Sequence, residues 1–165
     1  MKIKIRPFKA QDYPQVARIY EEGMATGIAT FETKVPDYPE WNNRFVKECR
    51  FIVEENESII GWCALSKKSS REVYKGVAEV TLYIGSKNRG KGIGKRLLSH
   101  LIEQSEEQGY WTLTAHIFPE NTASINLHEQ LGFRKVGYYE NVAKRGEKWY
   151  NNLIFERRSL KIGLN

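Results

Sequence analysis

The chain has 165 residues, 41% of them hydrophobic and 12% aromatic, and its formal net charge is +6. This length fits one domain with a sizeable core, and this composition excludes an intrinsically disordered chain. Two cysteines, Cys49 and Cys63, are too few for a disulfide framework, so we expect a reduced, cytoplasmic protein. The N-terminal segment lacks the apolar stretch of a signal peptide, and no apolar run approaches the ~18 residues of a membrane span, so we expect no membrane partner.

The hydrophobic pattern predicts an α/β domain with a mixed sheet, in the order β-α-α-β-β-β-α-β-α-β-β. The predicted strands cover residues 2–6, 51–54, 59–65, 77–84, 113–117, 134–139 and 149–155. Helices are predicted from residue 12 to about residue 27, over 37–47, from residue 93 to a stop at Gly109, and over 124–131. Asp12 is the predicted N-cap of the first helix, and Gln15 completes a capping box with it.

A glycine-rich segment from Gly85 to Arg96 follows the strand predicted over residues 77–84 and leads into the helix predicted from residue 93. Glycines there let backbone N–H groups approach an anion, to which a helix N-terminus adds a partial positive charge. Lys95 and Arg96 lie in the first turns of that helix, where positive charge interacts unfavourably with the helix macrodipole. An unfavourable local placement of this kind is typical of a functional site. The alternative is a flexible, glycine-rich connection.

The surplus positive charge is concentrated in this segment, which contains no acid and five cations: Lys87, Arg89, Lys91, Lys95 and Arg96. A module that binds nucleic acid spreads its Lys and Arg side chains over a face together with exposed aromatic residues. We therefore expect a small phosphate-bearing partner at one strand–loop–helix junction, and no nucleic-acid partner.

Two common phosphate motifs fit this segment poorly. A dinucleotide-binding fingerprint fails because the third glycine position, after Gly90 and Gly92, is occupied by Lys95. A nucleotide-hydrolysing P-loop matches at Gly85, Gly90 and Lys91, but the next residue is Gly92, which has no hydroxyl group to hold Mg²⁺. The P-loop stays a weak alternative.

The pattern Arg-x-x-Gly-x-Gly, here Arg89-Gly90-Lys91-Gly92-Ile93-Gly94, resembles the pyrophosphate loop of the GNAT N-acetyltransferase superfamily. The segment that opens with Asn121-Thr-Ala-Ser124 and ends with Leu131-Gly-Phe133 is similar to the next motif of that superfamily. The resemblance implies the GNAT fold, with a mixed, mostly antiparallel central sheet flanked by helices. It also implies that residues 1–165 form a single N-acetyltransferase domain, with acetyl-CoA as co-substrate and no metal.

Further motifs resemble the phosphinothricin N-acetyltransferase family over nearly the whole chain, from about Arg6 to Arg158. They are Thr30-Phe-Glu-Thr33, Arg71-x-x-Tyr74, Ala78-Glu-Val80, Leu127-His-Glu129 and Gly146-x-x-Trp149. This resemblance implies transfer of an acetyl group to the α-amine of a small amino-acid-like molecule, directly in a ternary complex. Phosphinothricin, methionine sulfoximine, methionine sulfone and ordinary amino acids are the substrates it implies, and a homodimer is the implied assembly.

Glu79 is the candidate base. Strand alternation places it on one face with Val77, Thr81 and Tyr83, where a carboxylate can accept a proton directly or through a water. The alternative is a solvent-facing glutamate on a half-exposed strand. The family match at Ala78-Glu-Val80 favours function and implies that this glutamate deprotonates the amine.

His128 is the second catalytic candidate, four residues after Ser124 on the same helix face. A neutral imidazole could relay a proton, and a cationic one could donate a proton to the departing thiolate. The resemblance implies a catalytic partner of Glu79, and the alternative is a packed helix histidine. His100 and His116 have no such match, and we expect both to be structural.

The resemblance also implies the residues that bind the two substrates. Those for acetyl-CoA are Leu82, Tyr83, Ile84, Arg89, Gly90, Lys91, Gly92, Ile93, Gly94, Lys95, Asn121 and Ser124. Asn121 could equally serve as a helix N-cap. For the amine substrate, Arg71 would hold an acidic group in a bidentate fork, Tyr74 would add a hydrogen bond, and Phe31 would form a wall or simply pack in the core.

Three other functions remain open at this point. An acetyltransferase for protein N-termini or polyamines would keep the same motifs, although the arginine at position 71 argues against a cationic polyamine. A non-catalytic acyl-CoA-binding sensor would keep the glycine loop without needing Glu79. A basic nucleic-acid-binding module would need a wider basic face than the chain provides.

Overall fold

The predicted succession of elements is confirmed by the computed structural model, which describes residues 2–165. The strands are β1 (Ile3–Pro7), β2 (Arg50–Glu55), β3 (Ser58–Lys67), β4 (Val77–Ile84), β5 (Thr112–Ile117), β6 (Arg134–Arg145) and β7 (Lys148–Arg158). The helices are α1 (Tyr13–Met24), α2 (Tyr38–Arg44), α3 (Ile93–Glu107) and α4 (Thr122–Gln130). Within residues 2–165, none of these helices is long and apolar enough to cross a bilayer.

All seven strands form one sheet in the order β1-β2-β3-β4-β5-β7-β6 within the described part of the chain. Every neighbouring pair is antiparallel except β4 with β5, which is parallel. The two strands run in the same direction because α3 connects the end of β4 back to the side of the sheet where β4 begins. The expected mixed, mostly antiparallel sheet flanked by helices is thereby confirmed. β7 lies between β5 and β6, so the last strand of the chain is internal to the sheet.

The two faces of the sheet carry separate cores, as the alternation along β4 predicts. Ala78 and Val80 pack in the cluster that includes the inner face of α3, whereas Tyr83 packs in the aromatic cluster beneath α1 and α2. Trp41 and Phe45 are buried in that second cluster, as predicted. Because β4 is central, the residues on its two faces are held by both layers of helices.

The predicted capping box at the start of α1 is wrong. The carboxylate of Asp12 accepts hydrogen bonds from Arg6 at 2.8 and 3.0 Å and from the Lys9 backbone N–H at 2.7 Å, and it makes no cap to α1. Gln15 instead accepts a hydrogen bond from the Ile59 backbone N–H at 3.0 Å. A charged partner on β1 competes successfully for the carboxylate, so both side chains tie α1 to the sheet.

The C-terminal hairpin is longer than predicted. β6 extends to Arg145 and β7 begins at Lys148, which leaves a two-residue turn at Gly146 and Glu147. The register between the strands shifts between Tyr139 and Ala143, so a bulge lies in the outer half of the hairpin.

The close approach of Gly23 in α1 to Tyr83 in β4 predicts an unusual response to alanine. A Cβ atom at Gly23 would lie 2.4 Å from Cδ1 of the Tyr83 ring. Alanine normally stabilises a helix interior by about 1 kcal/mol relative to glycine, but overpacking costs about 1–3 kcal/mol. We expect Gly23→Ala to lower the free energy of unfolding by about 1 kcal/mol or more in urea denaturation.

Gly137 in β6 provides the matched control, because a Cβ atom there would meet Ile154 at an ordinary 3.6 Å. Gly137→Ala should change the free energy of unfolding by less than about 0.5 kcal/mol. A Gly23→Ala variant as stable as the parent protein would contradict the packing argument.

Candidate active site

A cleft opens where β4 and β5 separate. Their parallel pairing covers Val77 with Thr112, Ala78 with Leu113 and Glu79 with Thr114, and it ends there, although β4 continues to Ile84. The cleft between the diverging strands has a volume of about 490 Å³. Backbone groups of β4 beyond Glu79 therefore face the cleft side without a strand partner, which makes them available to a ligand.

Glu79 lies at the point where the strands part, and it lines the cleft. Its carboxylate Oε1 atom is 3.3 Å from Nε2 of His116 and 3.7 Å from Nζ of Lys68. The side chain of Glu79 is 30% exposed. The charged partners of the carboxylate are thus an ammonium group and an imidazole.

His116, which we expected to be structural, lies at the cleft. It lines the cleft and contacts the candidate base, across the gap between β4 and β5. The sequence contained the signal: Leu113, Ala115 and Ile117 alternate as buried residues along β5, so His116 must point to the opposite face, which Glu79 shares.

His128 in α4 is 5% exposed and lines the cleft. Its Nδ1 atom is 2.7 Å from the Ser124 carbonyl oxygen, and because a carbonyl only accepts hydrogen bonds, Nδ1 carries the proton. Burial lowers the pKa of His128, and the bond to Ser124 offsets only part of that effect. The imidazole is therefore neutral near pH 7, and Nε2 holds a lone pair.

Phe31 forms part of the cleft wall and also packs in an aromatic cluster, so both interpretations of it hold. Its ring lies 4.5 Å from that of Phe118, which also lines the cleft. Arg145 of β6 donates hydrogen bonds to the backbone carbonyls of Gly27 and Thr30 at 2.6 and 2.9 Å. The segment before Phe31 is thereby fixed by the C-terminal hairpin.

Asn121 is the N-cap of α4, which confirms one of its two predicted roles. Its side-chain oxygen accepts from the Ser124 backbone N–H at 3.2 Å, and its amide nitrogen donates to the Ile28 carbonyl at 3.3 Å. Asn121 and Ser124 both line the cleft, as do Leu82 and Tyr83.

An ion pair on the cleft wall was not among the predicted site residues. Arg44 donates to Glu32 at 2.9 Å and to the Tyr20 hydroxyl at 3.4 Å, and all three residues line the cleft. Burial raises the pKa values of Tyr20 and Tyr83, whose rings stack at 4.9 Å, so both phenols stay protonated. Glu32 belongs to the motif Thr30-Phe-Glu-Thr33, which was the signal for this part of the wall.

Arg71 and Tyr74 lie outside the cleft, on the loop before β4. The guanidinium of Arg71 lies 5.5 Å from the centre of the Tyr74 ring, and Tyr74 is 47% exposed. The two residues are therefore not among those that line the cleft with Glu79, and their role in binding the amine substrate stays a prediction.

The glycine loop lies beside the end of β4. Gly90 and Gly92 have φ values of +74° and +76°, a conformation that side chains with a Cβ atom rarely adopt. At Gly94, in the first turn of α3, a Cβ atom would lie 3.7 Å from Ile84 and 3.4 Å from Leu127. The open N-terminus of α3 is therefore packed against the strand that borders the cleft.

Arg89 supports the loop from within. It donates to the carbonyl oxygens of Ile84 at 3.1 Å and Glu22 at 3.3 Å, and Glu22 accepts from the Ser86 backbone N–H at 2.6 Å. Ile84 thus has its carbonyl group engaged by Arg89. Neither Ile84 nor the segment from Arg89 to Lys95 is among the cleft-lining residues of the described chain.

The loop is suited to an anion with several charges. Among residues 2–165, none of the five cations between Ser86 and Arg96 forms an ion pair with an acidic side chain, and all five are exposed. Unpaired N–H groups of the first turn of α3 add partial positive charge. These residues fit the phosphates of a coenzyme A thioester. The described residues contain no group of three or more His, Cys, Asp or Glu side chains arranged to hold a metal ion.

Comparison with known proteins agrees with this geometry. Residues 5–154 match the family described as the acetyltransferase (GNAT) domain, so the chain belongs to the GNAT acetyltransferase family. It is an acetyl-CoA-dependent acyltransferase, as the resemblance in its motifs implied.

Individual relatives show which kinds of acetyltransferase this chain is similar to. The chain is 28% identical over 159 residues to a phosphinothricin N-acetyltransferase of Alcaligenes faecalis, covering 93% of this chain and 81% of the relative. It is 27% identical over 155 residues to an L-methionine sulfoximine/L-methionine sulfone acetyltransferase of Pseudomonas paraeruginosa, covering 90% of both. A solved phosphinothricin acetyltransferase of Sinorhizobium meliloti, in complex with acetyl-CoA, superposes with a TM-score of 0.86 at 29% identity, covering 96% of this chain and 89% of that one.

The buried, neutral state of His128 predicts a pH dependence of stability. Because the pKa of His128 is lowered in the folded chain, the unfolded chain binds a proton more readily once the pH falls below about 6.5. The contribution of His128 is therefore fully present above that pH and is lost as the pH falls. We expect His128→Gln to flatten the decline in the free energy of unfolding between about pH 7.5 and pH 5.5.

His100→Gln is the control for denaturant unfolding at the two pH values, because His100 packs edge-on against Phe51, away from the cleft. His116 also has a lowered pKa and leaves a residual slope in the His128 variant. An unchanged slope in His128→Gln would contradict the assignment of a neutral, buried imidazole.

Proposed function

We propose that residues 1–165 act as one N-acetyltransferase domain that transfers the acetyl group of acetyl-CoA to the α-amine of a small amino-acid-like substrate. The transfer is direct, within a ternary complex of protein and both substrates. One observation carries the proposal: the Glu79 carboxylate faces a cleft that opens beside the cationic glycine loop, where β4 leaves β5. The names of the relatives support an amino-acid-like substrate.

The acyl donor would be held by the glycine loop and by the free backbone of β4. Acetyl-CoA supplies the acetyl group as a thioester when it is bound. Lys87, Lys91, Lys95 and Arg96 offer charge to its phosphates, and Gly90 and Gly92 let the backbone approach them. Arg89 acts differently, because its donors are directed to the carbonyls of Ile84 and Glu22, where they hold the loop in place.

Glu79 would take the proton that blocks the reaction. An ammonium group has no lone pair, and free α-amines titrate near 7.7–8.0, so at neutral pH an amine substrate arrives mostly protonated. The Glu79 carboxylate, which lines the cleft where β4 and β5 separate, accepts that proton. His128 lines the cleft with Nδ1 protonated and Nε2 unprotonated, so it would orient a donor such as the amine rather than donate a proton itself.

The charges on the cleft wall favour a zwitterion. Arg44 and Glu32 place both signs of charge on one side of the cleft, and Lys68 lies beside Glu79. An amino acid has a carboxylate for the cations and an ammonium group for the carboxylates. A polyamine would meet Arg44 and Lys68 as like charges, which is unfavourable in a partly desolvated cleft.

The first test is release of free coenzyme A with a panel of amines. We expect release with at least one of phosphinothricin, methionine sulfoximine, methionine sulfone or a common amino acid, and none with spermidine or a peptide N-terminus. Glu79→Gln should lower turnover about 10²- to 10⁴-fold while acetyl-CoA still binds. Release with spermidine alone would indicate a polyamine acetyltransferase, and binding of acetyl-CoA without release would indicate a sensor.

The second test concerns the glycine loop. Exposed ion pairs contribute about 0.2–1 kcal/mol each, so Lys91→Gln combined with Lys95→Gln should raise the Kd for coenzyme A about two- to thirtyfold. The effect should shrink at high salt, because the charges are exposed. Calorimetric titration measures both quantities.

Lys135→Gln combined with Lys148→Gln is the matched control, since it removes the same charge from the exposed C-terminal hairpin. Equal weakening by the two double variants would show that net charge, and not the loop, attracts the ligand.

We also propose a homodimer and a reducing, cytoplasmic setting. The hairpin of β6 and β7 exposes Tyr138, Tyr139 and Trp149, each about half accessible, and β6 is the edge strand of the sheet. Edge strands with exposed aromatic residues are suited to association. Cys49 and Cys63 are buried free thiols, which supports a reducing compartment.

Sedimentation velocity tests the assembly. The protein should sediment as a dimer, and Tyr138→Glu should shift it toward the monomer, because a charge replaces an apolar contact. Leu160→Glu, on the exposed C-terminal tail, should leave the sedimentation coefficient unchanged. A monomer at all accessible concentrations would contradict the dimer.

A further inference from the structure

Three ionisable side chains from separate parts of the sheet converge at the rim of the cleft. Lys68 follows β3, Glu79 lies on β4, and His116 lies on β5. Nε2 of His116 is 3.3 Å from Oε1 of Glu79 and 3.4 Å from Nζ of Lys68, and Nζ of Lys68 is 3.7 Å from the same carboxylate oxygen. The three polar atoms therefore form a closed triangle that includes the carboxylate of the candidate base.

The Nε2 atom of His116 can take two states in this triangle. With a lone pair, it accepts a hydrogen bond from the Lys68 ammonium group; with a proton, it donates to the Glu79 carboxylate. Both partners are already within reach, so the change of state needs no movement of the backbone. The side chain of His116 is 32% exposed, which gives the ring access to solvent.

The charged groups that face His116 determine which state is occupied at rest. Burial lowers the pKa of His116, Glu79 raises it and Lys68 lowers it, and the net direction is downward. From β7, the residue opposite His116 is Ile154, which carries no charge, and Glu156 two residues further on is bonded to Arg134 at 2.6 Å. The resting imidazole is therefore neutral, with Nε2 free to accept a proton.

We propose that His116 is a positioning residue that acts through Glu79, holding the carboxylate together with Lys68 and taking on the proton that the carboxylate receives from the amine. This inference rests on the proposed acetyltransferase function and assigns a role at the same site.

The proton balance of this relay is complete without a further reactant. The N–H bond of the substrate ammonium breaks as an O–H bond forms on Glu79, which leaves a neutral amine with its lone pair. That O–H bond then breaks as an N–H bond forms at Nε2 of His116, which restores the carboxylate. The imidazolium releases one proton to solvent water, and Lys68 stays protonated throughout.

The first arm of the test needs no catalysis. NMR titration of the His116 ring in the full-length protein should show a lower pKa in Glu79→Gln, where the carboxylate is lost, and a higher pKa in Lys68→Met, where the ammonium is lost. His100, which packs against Phe51, serves as the internal reference. A His116 titration that neither variant moves would overturn the proposal.

The second arm measures turnover. His116→Gln should lower kcat about tenfold or more and change the pH profile of kcat, with the KM for acetyl-CoA within about twofold of the parent value. His116→Ala should behave alike and regain activity when imidazole is added, a rescue that a merely structural role would not give. His100→Gln should match the parent protein.

The outcomes distinguish failure of the His116 relay from failure of the acetyltransferase function. An active parent protein with unchanged kcat and pH profile in both His116 variants overturns the relay and leaves the acetyltransferase function intact. A parent protein that releases no coenzyme A with any amine overturns the proposed function and the relay with it. Loss of activity without rescue by imidazole, in a His116→Ala variant that still binds acetyl-CoA, also counts against the relay.

Discussion

The parting of β4 from β5 is the constraint on which the rest of the site depends. Backbone N–H and C=O groups need partners, so a central strand that leaves its neighbour exposes groups that only a ligand, water or another element can satisfy. Here the separation begins directly after Glu79. The same local event therefore creates the cleft, frees the backbone of β4 on one side and places a carboxylate at the entrance.

Two imidazoles border this cleft in opposite surroundings. His128 is buried in α4, and its Nδ1 proton is fixed by the Ser124 carbonyl, so its protonation state is set by the fold. His116 is partly exposed between a carboxylate and an ammonium group, so its state responds to nearby charge. Burial lowers the pKa of both imidazoles, but only His116 also has a carboxylate and an ammonium group beside it, so the two rings are suited to different tasks.

Much of the fold could be predicted from the sequence, because local chemistry and long-range packing agree there. Alternation along β4 predicted its two faces correctly. Gly90 and Gly92, which we expected to let the backbone approach an anion, adopt positive φ values. The capping pattern at Asp12 failed because a guanidinium from β1 is a stronger partner than a helix N–H group.

The site itself was only partly predictable. Phe31, Tyr83 and His128 meet in the cleft as the motifs implied. Arg71 and Tyr74 do not, because periodicity does not determine the direction in which a polar loop turns away from its strand. The contact between Glu79 and His116 was also missed, since it depends on the register of two parallel strands that α3 separates in the chain.

The position of β7 inside the sheet has a consequence for the order in which the protein is made. Synthesis proceeds from the N-terminus, so β5 leaves the ribosome with one edge open and waits for the last strand of the chain to cover it. Arg145, which fixes the loop before Phe31, arrives at the same late stage. A nascent chain that ends before the hairpin thus holds Glu79 and the glycine loop but lacks both the Arg145 hydrogen bonds that fix the segment before Phe31 and the cover for β5. Such a chain is exposed to aggregation along that edge.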